Sequence, residues 1–140
     1  MEILQEDLDL IKLRQKEIDN QLRLLADEFN VVLNQSSETW HDNAPWDDAK
    51  ARERVLLAEQ EYLQRVIRTH SIHKATEASP LGKNHTVKFN GKELKIHLVG
   101  DVSLRVGQEV DGHKIVTKVS PVGKAIFEPR FAQSHKLNNK

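Results

Sequence analysis

The strongest constraint in the chain is a heptad register that runs from Leu4 to Val32. Leu4, Ile11, Ile18, Leu25 and Val32 form one set, and Leu8, Leu22 and Phe29 a second, with Gln15 its polar member. Alternating gaps of four and three keep these side chains on one stripe of a helix, the pattern of a coiled-coil seam. Roughly thirty helical residues at about 1.5 Å each make a rod on the order of 45 Å long. A second helical pattern follows through Trp46, Ala49, Leu56, Leu63 and Val66 or Ile67, with Arg52 and Glu59 at its alternate seam positions. Two matched helical runs with a short break between them predict an antiparallel hairpin.

The break lies at Ser36–Lys50. Ser36 and Ser37 compete with helical backbone hydrogen bonds, and Pro45 lacks an amide donor and has a fixed φ. Pro45 suits the first turn of a new helix capped by Asn43 or Ala44, with Asp47 and Asp48 facing the positive end of its dipole. The hairpin tip is therefore expected at 36–48, with Trp40 and Trp46 available to clamp it. Trp40 is the better candidate for an interface anchor.

Residues Thr69 to Asn84 are rich in breakers and read as a linker. Beyond them the period changes to two. Val87 and Phe89, then Leu94, Ile96 and Leu98, alternate with polar residues around Asn90-Gly91, a strong hairpin signal. Asp111-Gly112 marks a second turn, between Val102–Val110 and His113–Val119. Ser120–Gly123 is a third break, before Lys124–Phe127. The expected fold class is α+β: residues 1–75 form a coiled-coil hairpin, and 76–140 a small antiparallel β-sheet domain with a basic tail.

Composition removes several function classes. No cysteine is present, which excludes disulfides, thiolate metal sites and a cysteine nucleophile. The acidic N-terminus does not resemble a signal peptide, and no apolar run approaches the roughly 18 residues of a membrane span. A cytoplasmic protein with no membrane partner is expected. The net charge of zero hides an acidic first 75 residues, at −5, and a basic remainder, at +5. His70 and His73 have ligand-like spacing but lack a third ligand. No phosphate loop or nucleophile elbow occurs.

Against this background, Asp42-Asn43-Ala44-Pro45-Trp46-Asp47-Asp48-Ala49-Lys50 resembles the tip signature of bacterial Gre-type transcript-cleavage factors, Glu-Asn-Ala-Glu-Tyr-x-x-Ala-Lys/Arg. Asp42 falls on the Glu, Asn43 and Ala44 are identical, Trp46 falls on the Tyr, and Ala49-Lys50 matches. In that family the tip crowns an N-terminal coiled coil, and a small FKBP-like sheet domain follows. Val99-Gly100-Asp101 and Ser120-Pro121-Val122-Gly123-Lys124-Ala125-Ile126 are similar to that domain's Ile-Val-Gly-Asp and Ser-Pro-Ile-Gly/Ala-Lys/Arg-Ala-Leu. The family domain continues with two more strands, so a shortened version is expected here.

The resemblance implies a regulator of transcription elongation that binds RNA polymerase as a monomer, inserts its tip into the secondary channel, and meets the 3′ end of backtracked RNA there. It implies no cofactor bound by the protein alone. Tip carboxylates, Asp42 with Glu38, would share a Mg²⁺ ion at the polymerase active centre, where Mg²⁺ takes hard oxygen ligands. Trp40, Asp42 and Asn43 would be the partner-binding tip, and Ser120 and Pro121 the docking point of the sheet domain. The catalytic centre would be the polymerase's own. Thr39 stands where the family has its first tip acid, so cleavage stimulation is expected to be weak or lost. A coiled-coil adaptor unrelated to polymerase is the alternative.

Overall fold

The structure is a computed structural model, and it describes residues 1–36, 44–74 and 79–127. The elements run β1 (Glu2–Ile3), α1 (Gln5–Ser36), α2 (Ala44–Thr69), β2 (Ser71–Ile72), β3 (Lys83–Phe89), β4 (Lys92–Val99), β5 (Glu109–Val110), β6 (His113–Thr117) and α3 (Pro121–Phe127). By their contacts they form two compact units, Lys12–Arg68 in one and Met1–Ile11 with Thr69–Lys140 in the other. The first eleven residues, which the heptad assigns to the hairpin, thus group with the sheet.

In the Lys12–Arg68 unit, partners near the start of α1 lie late in α2 and partners near its end lie early in α2. Arg14 binds Glu59 and Asp19 binds Gln60, whereas Glu28 binds Arg52 and Phe29 meets Trp46. This is an antiparallel helical hairpin. Ile18, Leu25, Ala49, Leu63 and Val66 are buried, as the seam requires. Leu22 is only half-buried. The polar seam residues Arg52 and Glu59 each find a charged partner on α1, so they select one alignment of the two helices where an apolar residue would tolerate several.

The other unit carries a four-stranded sheet in the order β3-β4-β6-β5. The β3–β4 and β5–β6 pairs are antiparallel, while β4 and β6 run parallel. The sheet is therefore mixed rather than purely antiparallel. Parallel neighbours need a crossover, and residues 100–112 supply one. Most of that connection was expected to be strand, but only Glu109–Val110 pairs. Both expected turns are present: Asn90-Gly91 and Asp111-Gly112 have positive φ at all four residues, the geometry that lets two-residue turns follow strand twist. Lys124–Phe127 belongs to α3. Ile3, Leu81, Val87, Ile96, Leu98, Val99, Ile115 and Ala125 are buried in this unit.

β1 pairs parallel with β2, Glu2 opposite Ser71 and Ile3 opposite Ile72. Two-residue strands have little stability of their own, and side chains complete the attachment. At the start of α1 the buried Asp7 accepts hydrogen bonds from Ser103 Oγ at 2.7 Å and Arg105 Nε at 2.8 Å. The helix dipole favours an acid there, and Arg105 supplies the counter-charge that makes its burial tolerable.

The hairpin seam makes a sharp contrast between neighbouring apolar residues. Ile18→Ala, at a site with 0% exposure, should lower stability by about 2–5 kcal/mol, whereas Leu24→Ala, at 63%, should change it by less than about 0.5 kcal/mol. Urea unfolding followed by circular dichroism measures both.

Candidate functional site

The expected tip residues Glu38, Thr39, Trp40, Asp42 and Asn43 lie outside the described residues. What is described is the end of the hairpin that carries them. α2 begins at Ala44, and Pro45 occupies its first turn, where its missing N–H would have no helical partner in any case. Trp46 packs edge-on against Phe29, with ring centroids 4.9 Å apart and planes at 60°. Lys50 Nζ lies 4.9 Å from the Phe29 centroid and 5.3 Å from that of Trp46. Trp46 thus joins α2 to α1 through Phe29; its expected packing against Trp40 lies outside the described residues. An aromatic pair of this geometry adds about 0.5–1.5 kcal/mol beyond its burial.

Ion pairs extend this fixation along the hairpin. Arg52 Nη2 donates to Glu28 Oε2 at 2.6 Å across the helices, and its Nε to Asp48 Oδ2 at 3.1 Å. Arg14 grips Glu59 with two parallel bonds, 2.6 Å from Nε and 2.8 Å from Nη2. The Arg14 hydrogen bond holds the Glu59 carboxyl below the usual range, and Glu59, followed by Glu17, raises the Arg14 guanidinium. Bidentate geometry makes Arg14–Glu59 the stronger clamp.

Ser120 and Pro121, the expected docking point, have clear local roles. The Ser120 hydroxyl donates to Thr117 O at 2.7 Å and accepts the Gly123 N–H at 3.0 Å, and so caps α3. Pro121 opens the helix and is exposed. A Cβ on Gly123 would lie 2.1 Å from Thr117 O, so this turn of α3 can approach the chain only without a side chain there. Gly100 behaves alike: a Cβ would meet Glu2 O at 2.3 Å.

Sequence reasoning missed a polar cluster beside Gly100. Glu2 N donates to Asp101 Oδ2 at 2.6 Å, and Asp101 N returns a bond to Glu2 O at 2.7 Å. The Glu2 carboxylate accepts Lys118 Nζ at 2.8 Å and His73 Nδ1 at 2.8 Å. Lys118 first, and His73 second, lower its pKa. In the tautomer whose Nδ1–H donates to Glu2, His73 Nε2 accepts the Ser79 hydroxyl at 2.8 Å.

Ser79, His73 and Glu2 have the connectivity of a hydrolytic triad. Here, however, the Ser79 oxygen caps the Leu81 N–H at 3.3 Å, and Lys118 already holds the acid. The chain of bonds reads as a fastening between β1, the segment after β2, and the sheet. The only sequence signal for it was the His70-x-x-His73 spacing, whose second histidine takes a carboxylate and a hydroxyl. Among the described residues, no three His, Cys, Asp or Glu side chains group to hold a metal, and no helix is long and apolar enough to cross a membrane.

No protein-family profile matches the chain, and no curated protein resembles it in sequence. Solved structures do. The GreA factor homolog 1 (Gfh1) protein of Thermus thermophilus superposes with a TM-score of 0.51 at 15% identity, over 91% of this chain and 82% of that one. A second structure, of the transcription factor Gfh1, gives 0.50 at 14% identity, over 91% and 81%. The chain shares the Gre-type fold of these proteins.

Two outcomes follow from these contacts. Glu59→Gln should weaken the hairpin by about 0.5–1 kcal/mol at neutral pH. Because the folded Glu59 pKa lies below its unfolded value of 4.5, that contribution is complete above the unfolded pKa and is lost as pH falls through the folded one. Melts of wild type and variant should therefore converge in acid. Gly100→Ala should cost about 1–3 kcal/mol and loosen the first residues, read as faster amide exchange at Ile3.

Proposed function

We propose that this protein is a Gre-like regulator of transcription elongation that binds RNA polymerase, with the hairpin tip entering the secondary channel. The observation that carries the reading is the shared fold over 91% of the chain with proteins described as a GreA factor homolog and a transcription factor. The tip signature Asp42-Asn43-Ala44, with Trp46 and Ala49-Lys50 at matching positions, supports it independently.

The protein's task in this reading is delivery. A two-helix hairpin held by an aromatic clamp and bidentate ion pairs loses little conformational entropy when it docks. Asp42 and Glu38 carry hard oxygen donors, the class of ligand that Mg²⁺ takes at the polymerase centre. Trp40 and Asn43 complete the contact surface of the tip. Thr39 offers a neutral hydroxyl where the family places a carboxylate, so the channel is occupied with little stimulation of RNA hydrolysis. The exposed Pro121 at the start of α3 is the proposed external docking point, and Ser120 holds it there.

The test is competition and cleavage on a backtracked elongation complex. The protein should displace a cleavage-competent Gre factor at micromolar concentrations while releasing little RNA itself. Thr39→Asp should raise cleavage, and Asp42→Ala should remove whatever cleavage activity remains while polymerase binding persists. Absence of both binding and competition would favour an adaptor unrelated to polymerase. Strong native cleavage that survives Asp42→Ala would exclude the tip assignment.

A further inference from the structure

Within the hairpin unit, the seam leaves one flank unused. A groove of about 490 Å³ opens between the helices, its apolar lining made by Leu24, Leu25, Ala51, Val55 and Leu56. A second hollow of about 520 Å³, lined by Leu24, Val31 and Pro45, lies towards the tip end. Leu24 is 63% exposed, Val31 54% and Val55 68%.

Scattered exposed aliphatics need no explanation, but these are aligned. Leu24 and Val31 stand one heptad apart, and Leu13, also exposed, precedes Leu24 by eleven residues, three helical turns. On α2, Val55 and the half-exposed Tyr62 repeat the heptad. Each helix thus carries a short exposed apolar stripe, of which Leu24, Val31 and Val55 line the hollows. A furrow between two antiparallel helices, walled by such stripes, has the shape that receives the ridge of a third helix.

The rim decides which helix. Among the described residues, Asp27, Glu28 and Asp48 border the two hollows with a single cation, Arg52, which is bound to Glu28 and Asp48. A second copy of this hairpin would bring two net-negative rims together. A helix with lysine or arginine beside its apolar ridge would complement the rim.

We propose that this flank docks a basic amphipathic helix of a protein partner. The proposal rests on the polymerase reading, in which that helix belongs to RNA polymerase, and adds which face of the hairpin makes the contact and by what chemistry.

The test uses the full chain with core RNA polymerase, read by equilibrium binding. Leu24→Glu with Val55→Glu alters only exposed positions, so folding should be retained by circular dichroism, and polymerase affinity should fall by about tenfold or more. Asp27→Lys removes no apolar area and should weaken binding by about threefold or more through the rim charge alone. Leu57→Glu, two residues and about 200° around α2 from Val55, should stay within about twofold of wild type.

If wild type binds and all three variants bind equally, the docking flank is refuted while the polymerase reading stands. Failure of the wild type to bind removes both. Sedimentation of the wild type as a dimer that the Leu24/Val55 variant dissociates would assign the flank to a second copy and overturn the proposal.

Discussion

The attachment of Glu2 is the constraint on which the sheet unit depends. This one residue donates its N–H to the Asp101 carboxylate, accepts the Asp101 N–H at its carbonyl, and offers its carboxylate to Lys118 and His73. It thereby joins positions separated by 71 to 116 residues. Strand β1 is too short to hold by pairing alone, and the charged fastening fixes where α1 starts. A second anchor, Asp7 with Ser103 and Arg105, fixes the first turn of that helix to the β4–β5 connection. Charges this well bonded stabilise position more than they stabilise the fold as such, since desolvation offsets much of their attraction.

The same fastening explains the first of the two motifs in the sheet half, and the packing of α3 explains the second. Gly100 is a glycine because the Glu2 carbonyl occupies the space of a side chain, and Asp101 is an acid because the Glu2 N–H points at it. Ser120 and Gly123 cap α3 and let it approach Thr117. Segments that resemble a binding family's signature are thus explained first by packing. Packing leaves Pro121 exposed.

In the hairpin unit the division of labour differs. The apolar seam provides association, while Arg14–Glu59, Glu28–Arg52 and Phe29–Trp46 provide alignment. Apolar contacts are non-directional and tolerate sliding by a turn, whereas opposite charges at fixed heights do not. A hairpin meant to present residues at its end needs that alignment, because a slip of one turn would displace the end by about 5.4 Å.

Much of this architecture was legible in the sequence, since its determinants are local. The 3.6-residue period named both long helices, Asn90-Gly91 and Asp111-Gly112 named two turns by their φ requirement, and Pro45 marked the start of α2. The residues from Glu38 to Asn43 resemble a Gre-type tip as a motif in the sequence, and they lie outside the described residues. Only the tertiary structure decided what depends on residues far apart in the chain. The parallel pairing of β4 with β6 is one such feature, because alternation reports faces and not direction. Helix α3, which runs through most of the expected break at Ser120–Gly123, the grouping of the first eleven residues with the sheet unit, and the Glu2–Lys118–His73 cluster are others. A heptad states which face of a helix is buried; it carries no record of what lies against that face, which only the folded chain supplies.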